Sequence, residues 1–120
     1  GQSAALMGAV NCVVVRDGKL IGENTDGKGF VAGVERLTDP AGKRMVLFGA
    51  GGAARAIAVE MALAGVRHVT VVNRGEADGR SLVDLLNDRV RPMMSSHSRR
   101  FLGGSLRFSM MRLIVSSIRV

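Results

Sequence analysis

Residues 45–65 read MVLFGAGGAARAIAVEMALAG, a short apolar run that enters three glycines and then an alanine-rich segment. Arg44 to Phe48 is short, apolar and bounded by Gly49, the pattern of a buried parallel strand. Ala53 to Leu63 follows as a helix. Its apolar stripe is Ala54, Ile57, Ala58, Met61 and Ala62, with Arg55 and Glu60 elsewhere and Gly65 as the C-terminal stop. The glycines therefore sit where a strand turns into a helix. Two readings compete there: a cradle for phosphate, or glycines needed only for close packing.

Going forward, His68 to Val72 (HVTVV) is a second strand and Arg80 to Asn87 a further helix. Strand, helix and strand with short connections form a βαβ unit over 44–73 with a right-handed crossover. Going back, Val10 to Arg16 and Lys19 to Gly22 flank Asp17-Gly18, the signal of a hairpin. Thr25 or Asp26 then caps a helix whose apolar positions are Phe30, Val31, Val34 and Leu37, ended by Asp39-Pro40-Ala41-Gly42.

The 120 residues suffice for one hydrophobic core. Four Phe with no Trp or Tyr make that core aliphatic and argue against a nucleic-acid stacking platform. The lone Cys12 has no internal disulfide partner and points to a cytoplasmic setting. No apolar run approaches the roughly 20 residues of a membrane span, and no metal-ligand pattern stands out.

The net charge of +7 is unevenly placed, since residues 1–90 carry +1 and residues 91–120 carry six Arg and no acid. That last segment is rich in Arg, Ser and Met and follows neither a strand nor a helix period. It reads as a non-native tail, with a basic arm for nucleic acid or anionic surfaces as the alternative.

Gly49-Ala50-Gly51-Gly52-Ala53-Ala54 matches G-x-G-x-x-A, the dinucleotide fingerprint with Ala third. Gly49 permits the tight turn, Gly51 lets backbone approach a pyrophosphate, and Ala54 lets helix pack on strand. Phosphates would then meet the free N–H groups at the positive end of the helix. The second strand ends in Asn73-Arg74 rather than in the acid that binds the NAD ribose. Arg74 can pair with a 2′-phosphate, so NADP is favoured over NAD. The alternative for Arg74 is a solvated side chain after a strand.

Three segments, GAVNC at 8–12, GENTDGKGF at 22–30, and VLFGAGGAARA through VVNR, together closely resemble the shikimate dehydrogenase family, including its quinate/shikimate relatives, over about residues 8–89. The resemblance implies an α/β fold in which the end of a substrate-binding domain (1–25) precedes a partial Rossmann-type, doubly wound parallel sheet (26–90). It implies NADP-linked interconversion of 3-dehydroshikimate and shikimate in aromatic amino-acid biosynthesis. Asn11 matches the residue that hydrogen-bonds substrate hydroxyls. Asp26 matches the aspartate that pairs with a catalytic lysine, a group that exchanges the proton of the reacting oxygen. Gly49, Ala50, Gly51, Gly52, Ala53, Asn73 and Arg74 match cofactor-binding positions.

Without the resemblance, Asp26 reads equally well as a helix cap and Asn11 as a turn residue. The family's lysine lies upstream of GAVN, and Lys28 is expected to face solvent rather than replace it. Cys12 stands where Thr is usual, and Gly75 where Thr is frequent. The whole reads as an internal fragment without useful activity of its own. An NAD-linked quinate/shikimate enzyme is the alternative within the class.

Overall fold

The computed structural model describes residues 1–97 and 113–114. The chain opens with a helix α1 (Gln2–Met7) closed by Gly8 in the left-handed region, φ 66°. The hairpin β1 (Cys12–Arg16) and β2 (Lys19–Glu23) is in register from Cys12↔Glu23 to Arg16↔Lys19. Asp17 and Gly18 both take positive φ, 49° and 72°, the two-residue turn whose twist matches that of the flanking strands. One hairpin face carries Val13, Val15 and Leu20, all exposed; the other turns Val14, Ile21 and Glu23 inward.

Helix α2 spans Asp26–Glu35. It packs on α3 (Gly52–Leu63), which joins β3 (Arg44–Phe48) to β4 (His68–Val72) in parallel, Arg44↔His68 to Phe48↔Val72. Helix α4 (Glu76–Leu85) passes through a wide π turn at Leu86–Val90 into α5 (Arg91–His97). Leu113–Ile114 forms a short β5, parallel to β4, so the sheet order is β3-β4-β5. Helices advancing one way along a parallel sheet through right-handed crossovers lie on one face. The core occupies that face: Met45, Leu47, Val69 and Val71 meet Ala58, Val59, Ala62, Leu82, Leu86 and Val90, with Leu6 and Met7 of α1.

The sequence expectations need four corrections. β3 is not buried on both sides: Val46 and Phe48 are 57% and 76% exposed, because β3 is an edge strand with helices on one face only. In α2 only Val31 and Val34 pack on the core; Phe30 lies outside, since the contact with α3 runs along the Gly27 side, and the exposed Leu37 falls beyond the end of the helix. The buried stripe of α3 keeps Ala58, Met61 and Ala62 from the expected one and adds Ala56 and Val59, while Ile57 is partly buried against the core and Ala54 is only half-buried. Finally, α4 begins at Glu76, four residues earlier than expected, with Glu76 and Asp78 in the first turn where they favour the helix dipole.

The helical path also continues past residue 90. Met93 and Met94 pack against the core. Pro92, which has no N–H, follows directly on the π turn, where the Arg91 N–H already bonds back to the Leu86 carbonyl and the ordinary helical register is interrupted. The remainder of the proposed tail, 98–112 and 115–120, lies outside the described residues.

Candidate functional site

The carboxyl ends of β3 and β4 lie side by side, since Phe48 and Val72 are register partners. Gly49 N–H donates to the Val72 carbonyl at 2.8 Å, which ties the start of the glycine loop to the last residue before Asn73-Arg74. All the residues expected to bind cofactor therefore emerge at one edge of the sheet, where open α/β sheets place ligands.

Within the loop the glycines divide into two kinds. Gly49 has φ 109°, a conformation that favours glycine, and the position a Cβ would take is 4.0 Å from Ala54 Cβ. Gly51 is extended, at φ −75° and ψ −172°, and precedes α3 without any side-chain cap. A Cβ added at Gly51 or Gly52 would meet nothing within 4 Å. Neither backbone conformation nor packing within the described residues demands glycine at these two positions. The uncapped N–H groups of Gly52, Ala53 and Ala54 begin α3 beside this open space, a donor set suited to an anion. The loop thus fits a dinucleotide phosphate bridge.

Asn73 spends one amide hydrogen on the Gly75 carbonyl, Nδ2 to O at 2.7 Å, which shapes the turn after β4. Arg74 is exposed and makes no hydrogen bond or ion pair among the described residues. Its guanidinium is available at the rim of the edge.

Asn11 and Asp26 are brought together at the far end of the hairpin. Asn11 Oδ1 accepts from Thr25 N–H at 2.9 Å and from the Thr25 hydroxyl at 3.3 Å, and its own N–H donates to the Glu23 carbonyl at 3.0 Å. The carboxamide oxygen is thereby consumed and Nδ2 remains as a donor. Buried Asn24 accepts from Asp26 N–H at 3.2 Å, fixing the backbone of Asp26, whose exposed carboxylate has no partner among the described residues. The residue that begins α2 as its cap is Thr25, without a side-chain cap bond. The carboxylate is therefore not spent on capping. Gly27, beside Asp26, lies against Ala56, which links this cluster to the first turns of α3.

Lys28 faces solvent as expected, with its side chain 47% exposed, and its Nζ also lies 2.6 Å from Oε2 of the buried Glu23. The hydrogen bond from the Lys28 ammonium holds the Glu23 carboxyl below the usual carboxylate range, against the opposing effect of burial. Glu23 and Lys28 are polar members of the cluster that the sequence reading missed. A Glu–Lys spacing of five across a strand-to-helix junction carries no recognised signal. No group of three or more His, Cys, Asp or Glu is placed to hold a metal ion among the described residues. None of the described helices is long and apolar enough to cross a membrane.

A parallel βαβ unit with an uncapped glycine loop at its carboxyl edge defines a Rossmann-type α/β protein. No protein-family model matches the chain. Among curated proteins, the shikimate dehydrogenase (NADP(+)) of Desulforamulus reducens is 49% identical over 82 residues, 67% of this chain and 28% of that protein. Over the matched residues the chain is homologous to the shikimate dehydrogenases.

Solved structures agree on the fold. The shikimate 5-dehydrogenase of Listeria monocytogenes, in complex with shikimate and NAD, superposes with a TM-score of 0.69 at 39% identity, over 75% of this chain and 32% of that one. The ligand-free 5-ketofructose reductase of Gluconobacter sp. strain CHM43 gives a TM-score of 0.72 at 60% identity, again over 75% and 32%. The chain spans about 25–32% of the length of the curated relatives it matches.

Proposed function

We propose that the chain is the NADP-binding βαβ segment, with adjoining substrate-cluster residues, of a dehydrogenase that interconverts 3-dehydroshikimate and shikimate in aromatic amino-acid biosynthesis. The observation that carries this is the pair Gly51-Gly52, glycine where neither fold nor backbone requires it, beside uncapped N–H groups. Gly49, Ala50, Gly51, Gly52 and Ala53 would hold the pyrophosphate, and Arg74 the 2′-phosphate, with Asn73 setting the turn that presents it. NADP supplies the hydride acceptor or donor. The chain's own part in the chemistry is to bind and orient. Asn11 Nδ2 donates to a substrate hydroxyl, and the Asp26 carboxylate orients a proton-exchanging group at the reacting oxygen. A cytoplasmic setting accords with the free thiol of Cys12.

Among the described residues no lysine pairs with the Asp26 carboxylate, and Lys28 is engaged by Glu23 instead. The expected behaviour of this 120-residue chain is therefore dinucleotide binding without turnover. Calorimetric titration with NADP+, and NADPH oxidation in the presence of 3-dehydroshikimate, test both halves. Absence of binding overturns the cofactor reading, and sustained oxidation overturns the assignment as inactive.

A second reading concerns the substrate. The 60% identity to the Gluconobacter 5-ketofructose reductase favours 5-ketofructose for the same Asn11–Asp26 cluster. Ligand-observed NMR separates the two: the first reading expects shikimate to bind in an Asn11-dependent way, and the second expects 5-ketofructose to do so.

A further inference from the structure

Arg55 occupies a position that neither packing nor charge explains. On α3 it lies four residues before Val59 and seven before Ala62, so it shares the side of the helix that these buried residues occupy. Its Nε is buried and has no hydrogen-bond partner, and the guanidinium has no ion pair among the described residues. Glu60, the only acid on α3, has its Cγ 2.7 Å from where a Cβ on Gly27 would lie, and its own buried Oε1 is likewise unpaired. A buried, unpartnered N–H is costly, and a cation in the N-terminal part of a helix is repelled by the positive end of the dipole. The first turn of α3 contains no acid to offset it. Two independent features, uncapped N–H groups beside open space and, one turn on, a guanidinium without an ion pair among the described residues, thus put positive charge in the N-terminal part of the same helix. Departures from local preference of this kind are expected at functional sites.

We propose that Arg55 is a second cationic contact of the glycine loop, reaching the pyrophosphate that NAD and NADP have in common. This rests on the dinucleotide reading above and adds a residue that the fingerprint does not contain. Side chains on a helix lean toward its N-terminus, and Arg55 is three residues beyond Gly52, a rise of about 4.5 Å that the arginine side chain can span. Arg74 and Arg55 would then divide the work. Arg74 selects the 2′-phosphate, while Arg55 strengthens binding of either dinucleotide.

The test is calorimetric titration of NADP+ and NAD+ into the full chain and its Arg55→Met, Arg55→Lys and Arg74→Ala variants, with melting temperatures of the unliganded proteins. Arg55→Met should weaken both dinucleotides by the same factor, roughly tenfold, and Arg55→Lys should recover part of the loss. The unliganded melting temperature of Arg55→Met should hold or rise, because the cation removed had no partner. Unchanged affinity, a loss confined to NADP+, or a fall in melting temperature as the only effect would each overturn the role of Arg55 while leaving the dinucleotide reading intact. A wild-type chain that binds neither dinucleotide would remove both.

Discussion

Gly27 of α2 lies directly on the backbone of Ala56 in α3: a Cβ at position 27 would fall 2.7 Å from the Ala56 carbonyl carbon and equally close to Glu60 Cγ. This contact joins the helix that begins at Asp26 to the helix that begins at the glycine loop. Gly27→Ala should therefore push the helices apart, costing about 1–3 kcal/mol, the range for overpacking a close contact. Urea unfolding measures the loss. A fully tolerated Ala would mean that the helices are not seated as described.

Asn11 has two separable jobs. Its Oδ1 accepts from Thr25, while Nδ2 is left for substrate. Asn11→Asp keeps the acceptor and removes the donor, so the melting temperature should stay close to wild type while substrate affinity falls roughly tenfold. Asn11→Ala should lose both. A large stability loss in Asn11→Asp, with ligand binding intact, would reverse the assignment.

The Glu23–Lys28 pair sets an acid limit. Glu23 titrates below its ordinary value of 4.5 in the folded chain, chiefly because Lys28 hydrogen-bonds to it. A carboxyl with a depressed folded value stabilises fully above the unfolded value, and that contribution is lost as pH falls through the folded one. Melting temperature of the wild type should thus fall between about pH 5 and the folded pKa more steeply than that of Glu23→Gln. Parallel profiles for the two proteins would show that the pair contributes nothing.

Much of this arrangement was legible in the residues. Asp17-Gly18 announced the hairpin, and the apolar runs 44–48 and 68–72 gave both parallel strands with their boundaries. Periodicity was less informative in α2 and α3, because which face of a helix is buried depends on its neighbours. Gly27, a weak helix former, turned out to define the contact side, leaving Phe30 outside. The start of α4 at Glu76 carries little sequence signal, because Gly75 and Gly79, poor helix formers, bracket its first turn, whereas Gly79 is buried within the helix. The Glu23–Lys28 pair and the isolation of Arg55 depend on tertiary placement, for which single-sequence patterns carry no signal.

The Arg74 guanidinium should discriminate between dinucleotides. Arg74→Ala is expected to weaken NADP+ by roughly 10- to 100-fold, as loss of a charge-assisted contact does, and to leave NAD+ nearly unchanged. Equal losses would contradict a 2′-phosphate contact.

The glycine loop itself offers the sharpest comparison. Gly51→Ala places a methyl group in open space on a backbone that any residue can adopt, so the fold alone has no reason to reject it. Calorimetric titration of this variant with NADP+, beside its melting curve, separates a phosphate cradle from a packing motif. A cradle requires an unchanged melting temperature and an affinity reduced at least tenfold. A variant that melts early, or that binds NADP+ as well as the wild type does, would contradict the assignment of Gly51 to the cofactor.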